Sequence, residues 1–250
     1  MIFEPLEIAA LQLFCRPVRA PDYKMKSVHY EEADALSHTD VFSNFDSAIR
    51  GADVLDFGCG FGYQTIALAK LGARTATGVE IEPGQLAAAI ARGAATGLPV
   101  KFSATLDGSY DVIYSQNSFE HFLDPDQICA DLRDHLRPGG KLYITFAPPW
   151  LAPYGAHMSF FTKLPWVHLL FREPVIMAVR SNYRNDPART YTECGLGKMT
   201  IKRFEQTVKR SGLRMEFCRY DCVRGLNVLA RVPVLRELFI NCVSCILTRS

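Results

Sequence analysis

The chain has 250 residues, a net charge of +2 and 48% hydrophobic residues. That length suits one domain with elaborations, and so balanced a charge leaves no broad positive face for DNA or RNA. The opening Met1-Ile2-Phe3-Glu4-Pro5-Leu6-Glu7 lacks the basic start and cleavage site of a signal peptide, and no apolar run reaches membrane-spanning length, so a cytoplasmic protein without stable membrane insertion is expected.

Residues 1–50 read as an N-terminal helical extension. Leu6, Ala9, Ala10 and Leu13 recur at helical spacing, Pro17 and Pro21 punctuate the next stretch, and Ser43 to Arg50 gives a short helix. Val54-Leu55 is an apolar strand that runs into Asp56 and then a loop with Gly58, Gly60 and Gly62 at alternate positions. Tyr63 to Lys70 is helical, so strand, loop and helix form the first βα unit of a nucleotide-binding sheet. Ala76 to Val79 is a second strand ending at Glu80, Gly84 to Arg92 a helix started by Pro83, and Val100 to Ser103 a third strand. Tyr110 to Ser115 is strand four, which brings Gln116 and Asn117 to the carboxyl edge of the sheet. Phe119 to Phe122 begins a helix through Ile128, Leu132 and Leu136. Arg137-Pro138-Gly139-Gly140 then turns into strand five, Lys141 to Phe146.

The loop spacing narrows the ligand. A dinucleotide loop reads G-x-G-x-x-G, whereas here Gly58-x-Gly60-x-Gly62 follows Asp56 by two places. A carboxylate there repels a pyrophosphate but suits a cation carrying an ammonium and a sulfonium. Glu80 lies about 20 residues past the loop, the separation at which an acid accepts hydrogen bonds from ribose hydroxyls. Together these features describe a site for S-adenosylmethionine.

VLDFGCGFG, GVEIEP, YDVIYSQNSFEHF and LRPGGKLYITF, in this order, resemble the class I S-adenosylmethionine-dependent methyltransferases from about Gly51 to Pro149. The likeness is to the small-molecule type, including the type 11 and ubiquinone-biosynthesis O-methyltransferases. It implies an α/β, three-layer Rossmann-like sheet of seven strands with an antiparallel last strand, and residues 51–250 as the methyltransferase domain. It also implies that the N-terminal extension folds over the cofactor as a lid, with His29 and Tyr30 the residues to watch and His38 on the surface. The cofactor set it points to is Asp56, Phe57, Gly58, Cys59, Gly60, Gly62, Glu80, Ile81, Thr105, Gln116 and Asn117, with S-adenosylhomocysteine as product. Thr105 stands where the family carries an acid toward adenine. Asn117-x-x-Glu120-His121 is similar to the E-x-x-E-H run that the ubiquinone enzymes link to a divalent metal, but Asn117 removes a charge. Helix capping and substrate-side packing are the reading adopted, with no metal assigned.

Residues 150–198 form a substrate-side insertion after strand five. Ala147 to His157 is rigid and turn-rich, and Phe160 to Phe171 is densely apolar, reading as a lid helix, as a pocket wall, or as both. Met199 to Val208 is a helix capped at Thr200 and ended by Ser211-Gly212. Leu213 to Tyr220 is a strand, Leu235 to Ile240 a helix, and Cys242 to Leu247 the final strand. The eight cysteines read as reduced thiols, and as strand residues Cys242 and Cys245 point to opposite faces, which argues against a zinc cluster with Cys218 and Cys222.

The function expected is methyl transfer to an oxygen or nitrogen of a small apolar or aromatic metabolite, with oligomeric state open. Histidine suits the general base, and His157 and His121 are the candidates, each weighed against a packing role. Ala147-Pro148-Pro149-Trp150 holds the approximate place of an N-P-P-Y motif but lacks its Asn, which turns the reading away from nucleic-acid bases. A cofactor-binding protein that acts through a partner without turnover is the alternative. An NAD-dependent oxidoreductase is disfavoured by the loop spacing and Asp56.

Overall fold

The computed structural model describes residues 4–18, 35–36 and 39–249. His29, Tyr30 and His38 lie outside the described residues. Seven strands form one sheet: β1 (Asp53–Phe57), β2 (Thr75–Val79), β3 (Val100–Ser103), β4 (Tyr110–Gln116), β5 (Leu136–Phe146), β6 (Arg214–Cys222) and β7 (Ile240–Thr248). Their order is β3-β2-β1-β4-β5-β7-β6. The strands β1 to β5 pair in parallel, while β7 lies antiparallel between β5 and β6. The expected seven-stranded fold with an antiparallel end is the fold found.

The helices are α1 (Glu4–Gln12), α2 (Phe45–Ile49), α3 (Tyr63–Lys70), α4 (Pro83–Ala94), α5 (Pro125–His135), α6 (Val167–Leu170), α7 (Glu173–Arg180), α8 (Ile201–Ser211) and α9 (Pro233–Phe239). Alternation along the strands sends side chains to two apolar layers. Val54, Val112, Tyr114 and Tyr143 pack beneath Phe45 and Ile49 of α2 and Leu68 of α3. Leu55, Ile113, Leu142 and Ile144 face the other way, against Leu132 of α5 and Phe204 of α8. Each fully buried aliphatic of this kind contributes roughly 1.5–3 kcal/mol. At the amino ends of the strands, Asp53 and Asp111 pair with Arg74 and Arg137, tying β1, β4 and β5 together. The opposite, carboxyl edge is left for the site.

Three expectations are corrected here. The helix read from Phe119 is a single tight turn, Phe119–His121, and α5 starts afresh at Pro125. Proline disfavours a helical residue before it and fits the first helical position, and the Asp124 carboxylate accepts the Gln127 N–H at 3.1 Å as the cap. Leu136, read as the end of that helix, opens β5 instead and pairs with Tyr110. In α1 and just beyond its end, Leu6 and Leu13 are 68% and 84% exposed; the buried face carries Leu11, with Ile8 and Cys15 packed beside it. That face has the same helical spacing, so periodicity alone did not choose between the two.

Phe160 to Phe171 is not one lid helix. Pro165 and the left-handed Trp166 (φ 55°) leave only the short α6, with Phe161 and Val167 buried and Leu169 and Leu170 outside. These residues build a third apolar cluster with α7 and, from the other end of the sequence, Leu11 of α1. The Arg16 N–H donates to the Phe161 carbonyl at 2.8 Å, and Arg172 pairs with Glu7 at 2.9 Å. The start of the chain is therefore docked on the insertion. Among the described residues, no helix is long and apolar enough to cross a membrane.

Candidate active site

Beyond Phe57 the chain doubles back through the glycine loop into α3. The Gly58 and Cys59 N–H groups both donate to the Val79 carbonyl, at 2.9 and 3.0 Å, which pins the loop to the end of β2. Gly58 is left-handed (φ 78°), and a Cβ on it would lie 2.4 Å from Ser118 Oγ. A Cβ on Gly60 would meet only the flexible end of Gln85. Gly62 has a different task, because the Phe102 ring fills the space where its Cβ would be and packs likewise against Gly78 and Gly93. Bare main chain is thus presented at Gly58 to Gly60.

Asp56 lies beneath this loop and is 2% exposed. The Thr65 hydroxyl donates to its carboxylate at 2.6 Å. Burial pushes the Asp56 carboxyl up to about 7, the Thr65 bonds oppose that shift, and the charge of Glu80 adds to it. Glu80 ties the neighbourhood together: one carboxylate oxygen accepts the Gly60 N–H and the other the Glu82 N–H, both at 2.9 Å. Each oxygen keeps a further lone pair for a ligand hydroxyl. Ile81, 83% exposed, stands beside it as an apolar plate. Thr105 is exposed and paired to Ser103 at 3.1 Å, and the Glu80 N–H donates to the Ser103 carbonyl, so Glu80, Ile81 and Thr105 share one rim. Cys59 is buried; burial first, and then Asp56 and Glu80, raise its thiol far above the usual range, so it forms a wall and not a nucleophile. Phe57 is half-buried, its ring edge-on to Phe122 at 5.7 Å.

The ends of β4 and β5 form the other half of the site. Asn117 sits at φ 51°, a conformation Asn tolerates, and its N–H donates to the Thr145 carbonyl at 2.7 Å. Gln116 is 6% exposed; the Tyr114 hydroxyl donates to its Oε1, while its Nε2 has no partner. The insertion brings the two candidate histidines together, with ring centroids 5.5 Å apart. His121 is exposed, and its Nδ1 lies 2.8 Å from the Gly195 carbonyl. His157 is left-handed (φ 56°). Burial, then the neighbouring His121, lowers it to about 4, against the pull of the Pro148 carbonyl facing its ring. Its Nε2 is buried without a partner.

Glu120, adjacent to His121 in sequence, goes inward to 3% exposure, and burial raises its carboxyl to about 8. It does not converge with His121, and among the described residues no three metal-ligating side chains come together. Sequence reasoning missed Tyr114 and Thr145, which the fold brings against Gln116. Tyr114 could have been found, two places from Gln116 and hence on its face of the strand.

A bare loop at Gly58 and Gly60, with one acid buried beneath and another on its rim, fits an elongated cation bearing a ribose. Residues 55–144 match the methyltransferase domain family. An uncharacterized methyltransferase of Mycolicibacterium gilvum is 34% identical over 200 residues, 78% of this chain and 75% of its own. The chain belongs to the class I S-adenosylmethionine-dependent methyltransferases. Its cofactor is S-adenosylmethionine. A second methyltransferase, from Mycobacterium avium, is 38% identical over 112 residues, 43% of this chain. That alignment spans only 44% of the relative's length. Among solved structures, the magnesium protoporphyrin IX methyltransferase of Synechocystis superposes with a TM-score of 0.55 at 18% identity, over 88% of this chain and 83% of its own, a likeness of fold. This methyltransferase thus shares its framework widely, and its acceptor side must be read from its own residues.

Proposed function

We propose that this methyltransferase moves the sulfonium methyl group to an oxygen or nitrogen of a small apolar or aromatic acceptor, bound between the end of β4 and the insertion. On the cofactor side, the main chain at Phe57, Gly58, Cys59 and Gly60 takes the middle of the molecule, and Glu80 takes the ribose hydroxyls. Ile81 covers the adenine, Thr105 borders it, and Asp56 and Asn117 stand toward the methionine end. Bound S-adenosylmethionine supplies a methyl group already activated by positive sulfur. The protein is left to align the acceptor atom at about 3–3.5 Å and to exclude water.

One observation carries the acceptor side: His157 Nε2 is buried with no hydrogen-bond partner while the ring is held neutral. A neutral imidazole whose other edge faces the Pro148 carbonyl offers this nitrogen as a proton acceptor. It is placed to take the proton of an acceptor hydroxyl or amine, and exposed His121 lies beside it on the solvent side. A positioned base of this kind contributes roughly 10²–10⁴-fold. Phe57 and Phe122 meet edge-on at the end of β1, and Trp150 packs on the insertion's apolar cluster, aromatic surface that supports an apolar acceptor.

The test is release of S-adenosylhomocysteine on incubation with phenols, catechols and aromatic amines. Turnover that falls in His157→Gln while cofactor affinity holds supports the reading. Tight cofactor binding with no turnover across the acceptors would favour the non-catalytic, partner-directed alternative.

A further inference from the structure

Gln116 and Thr145 are paired across β4 and β5 and project from the same face of the sheet as Tyr114 and Tyr143. Both are more than nine-tenths buried, at 6% and 1% exposure. The Tyr114 hydroxyl faces the pair, and its single proton goes to Gln116 Oε1. Thr145 Oγ1 is turned toward the oxygen of that same hydroxyl, and Gln116 Nε2 is left without a partner. A stranded amide donor beside a hydroxyl is costly in an apolar layer unless an oxygen reaches it. Held by Tyr114, the amide is oriented before any ligand arrives.

We propose that Gln116 and Thr145 form an acceptor subsite that grips a neutral carbonyl or hydroxyl oxygen of the molecule to be methylated. The inference rests on the methyltransferase reading above and names a feature of its acceptor. A neutral oxygen is favoured because the free amide Nε2 can only donate and, among the described residues, no lysine or arginine bonds to either side chain. The Asp56 charge also reaches the Tyr114 hydroxyl. A carboxylate, whether from the acceptor or from the methionine end of the cofactor, would meet that negative charge. An apolar group would leave Gln116 Nε2 stranded, the mismatch to which a hydrogen-bonding site is least tolerant.

The test uses protein saturated with S-adenosylhomocysteine and titrated by NMR with acetophenone, with ethylbenzene and benzoate as carbonyl-free and charged controls. Wild type is expected to prefer acetophenone by about tenfold, the worth of one net hydrogen bond or slightly more. Thr145→Val and Gln116→Leu should erase the preference, Thr145→Ser should keep it, and Thr145→Val should leave S-adenosylhomocysteine affinity within about twofold. A preference that survives both variants overturns the subsite. A tenfold loss of S-adenosylhomocysteine affinity in Thr145→Val overturns it too, by assigning the pair to the cofactor carboxylate. Failure of wild type to bind S-adenosylhomocysteine at all would strike the cofactor reading instead.

Discussion

The cofactor half of the site and the acceptor half handle their polar groups in opposite ways. Around the glycine loop, Asp56 is bonded to Thr65, Glu80 to two backbone N–H groups, and the loop amides to Val79. Among the described residues, no buried side-chain nitrogen or oxygen without a partner precedes Gln116. From Gln116 onward they include Gln116 Nε2, Glu120 Oε2 and His157 Nε2 around the acceptor side, with Trp166 Nε1, His168 Nδ1 and Tyr191 Oη farther into the insertion and Arg236 Nε in α9. Buried polar groups are normally paired, so a concentration of exceptions marks where a ligand completes the bonding. One half is finished before its ligand arrives, and the other waits for its ligand.

The sharpest way to break this contrast is His157→Gln. On the reading above it should lower kcat by roughly 10²–10⁴ with cofactor affinity unchanged, measured by S-adenosylhomocysteine release and calorimetry. Equal losses in turnover and cofactor binding would merge the two halves. Next in size, Asp56→Ala and Glu80→Ala should each weaken cofactor binding by ~1–3 kcal/mol, because each strands buried partners. Gly58→Ala should cost about 1–2 kcal/mol of stability from its left-handed backbone alone, with contact against Ser118 added, read by denaturant unfolding.

The effects of pH come last, and their signs differ between the halves. His157, lowered to about 4, binds fewer protons in the folded than in the unfolded chain between about pH 4 and 6.5. Its contribution to stability is therefore complete above about pH 6.5 and is lost as pH falls toward 4. With cofactor saturating, so that the titration of Asp56 near 7 does not show, kcat should stay level from about pH 8 down to about 5, whereas an unperturbed histidine would halve it near 6.5. Asp56, raised to about 7, binds more protons when folded, so its share of stability falls as pH rises from about 4 to 7. Unfolding free energies measured across about pH 4–8 in His157→Gln and Asp56→Asn should separate the two slopes.

Local chemistry made the cofactor half legible. Asp56, Gly58, Gly60 and Glu80 lie within 25 residues, and strand alternation plus glycine spacing places them without any long-range contact. The caps of α8 were legible for the same reason, since Thr200 accepts the Arg203 N–H at 3.1 Å and Gly212 turns left-handed at φ 76°. The acceptor half depends on pairings between distant segments. Thr145 matters only because β5 registers it against Gln116, and the register is not written in either strand. The insertion's core borrows Leu11 from α1, so Phe160 to Phe171 read alone as a helix that Pro165 and Trp166 in fact interrupt. Asp124-Pro125 was a helix start in plain view, and giving it more weight than the apolar spacing from Phe119 would have placed α5 correctly.

The central claim is that the bare loop above Asp56 and beside Glu80 holds S-adenosylmethionine. Calorimetry of S-adenosylhomocysteine and of NAD against wild type, Asp56→Ala and Glu80→Ala addresses it most directly. The account predicts tight binding of S-adenosylhomocysteine by wild type, weakened by roughly five- to a hundredfold or more in each variant, with NAD far weaker. Unchanged S-adenosylhomocysteine affinity in both variants, or tighter binding of NAD, would contradict it.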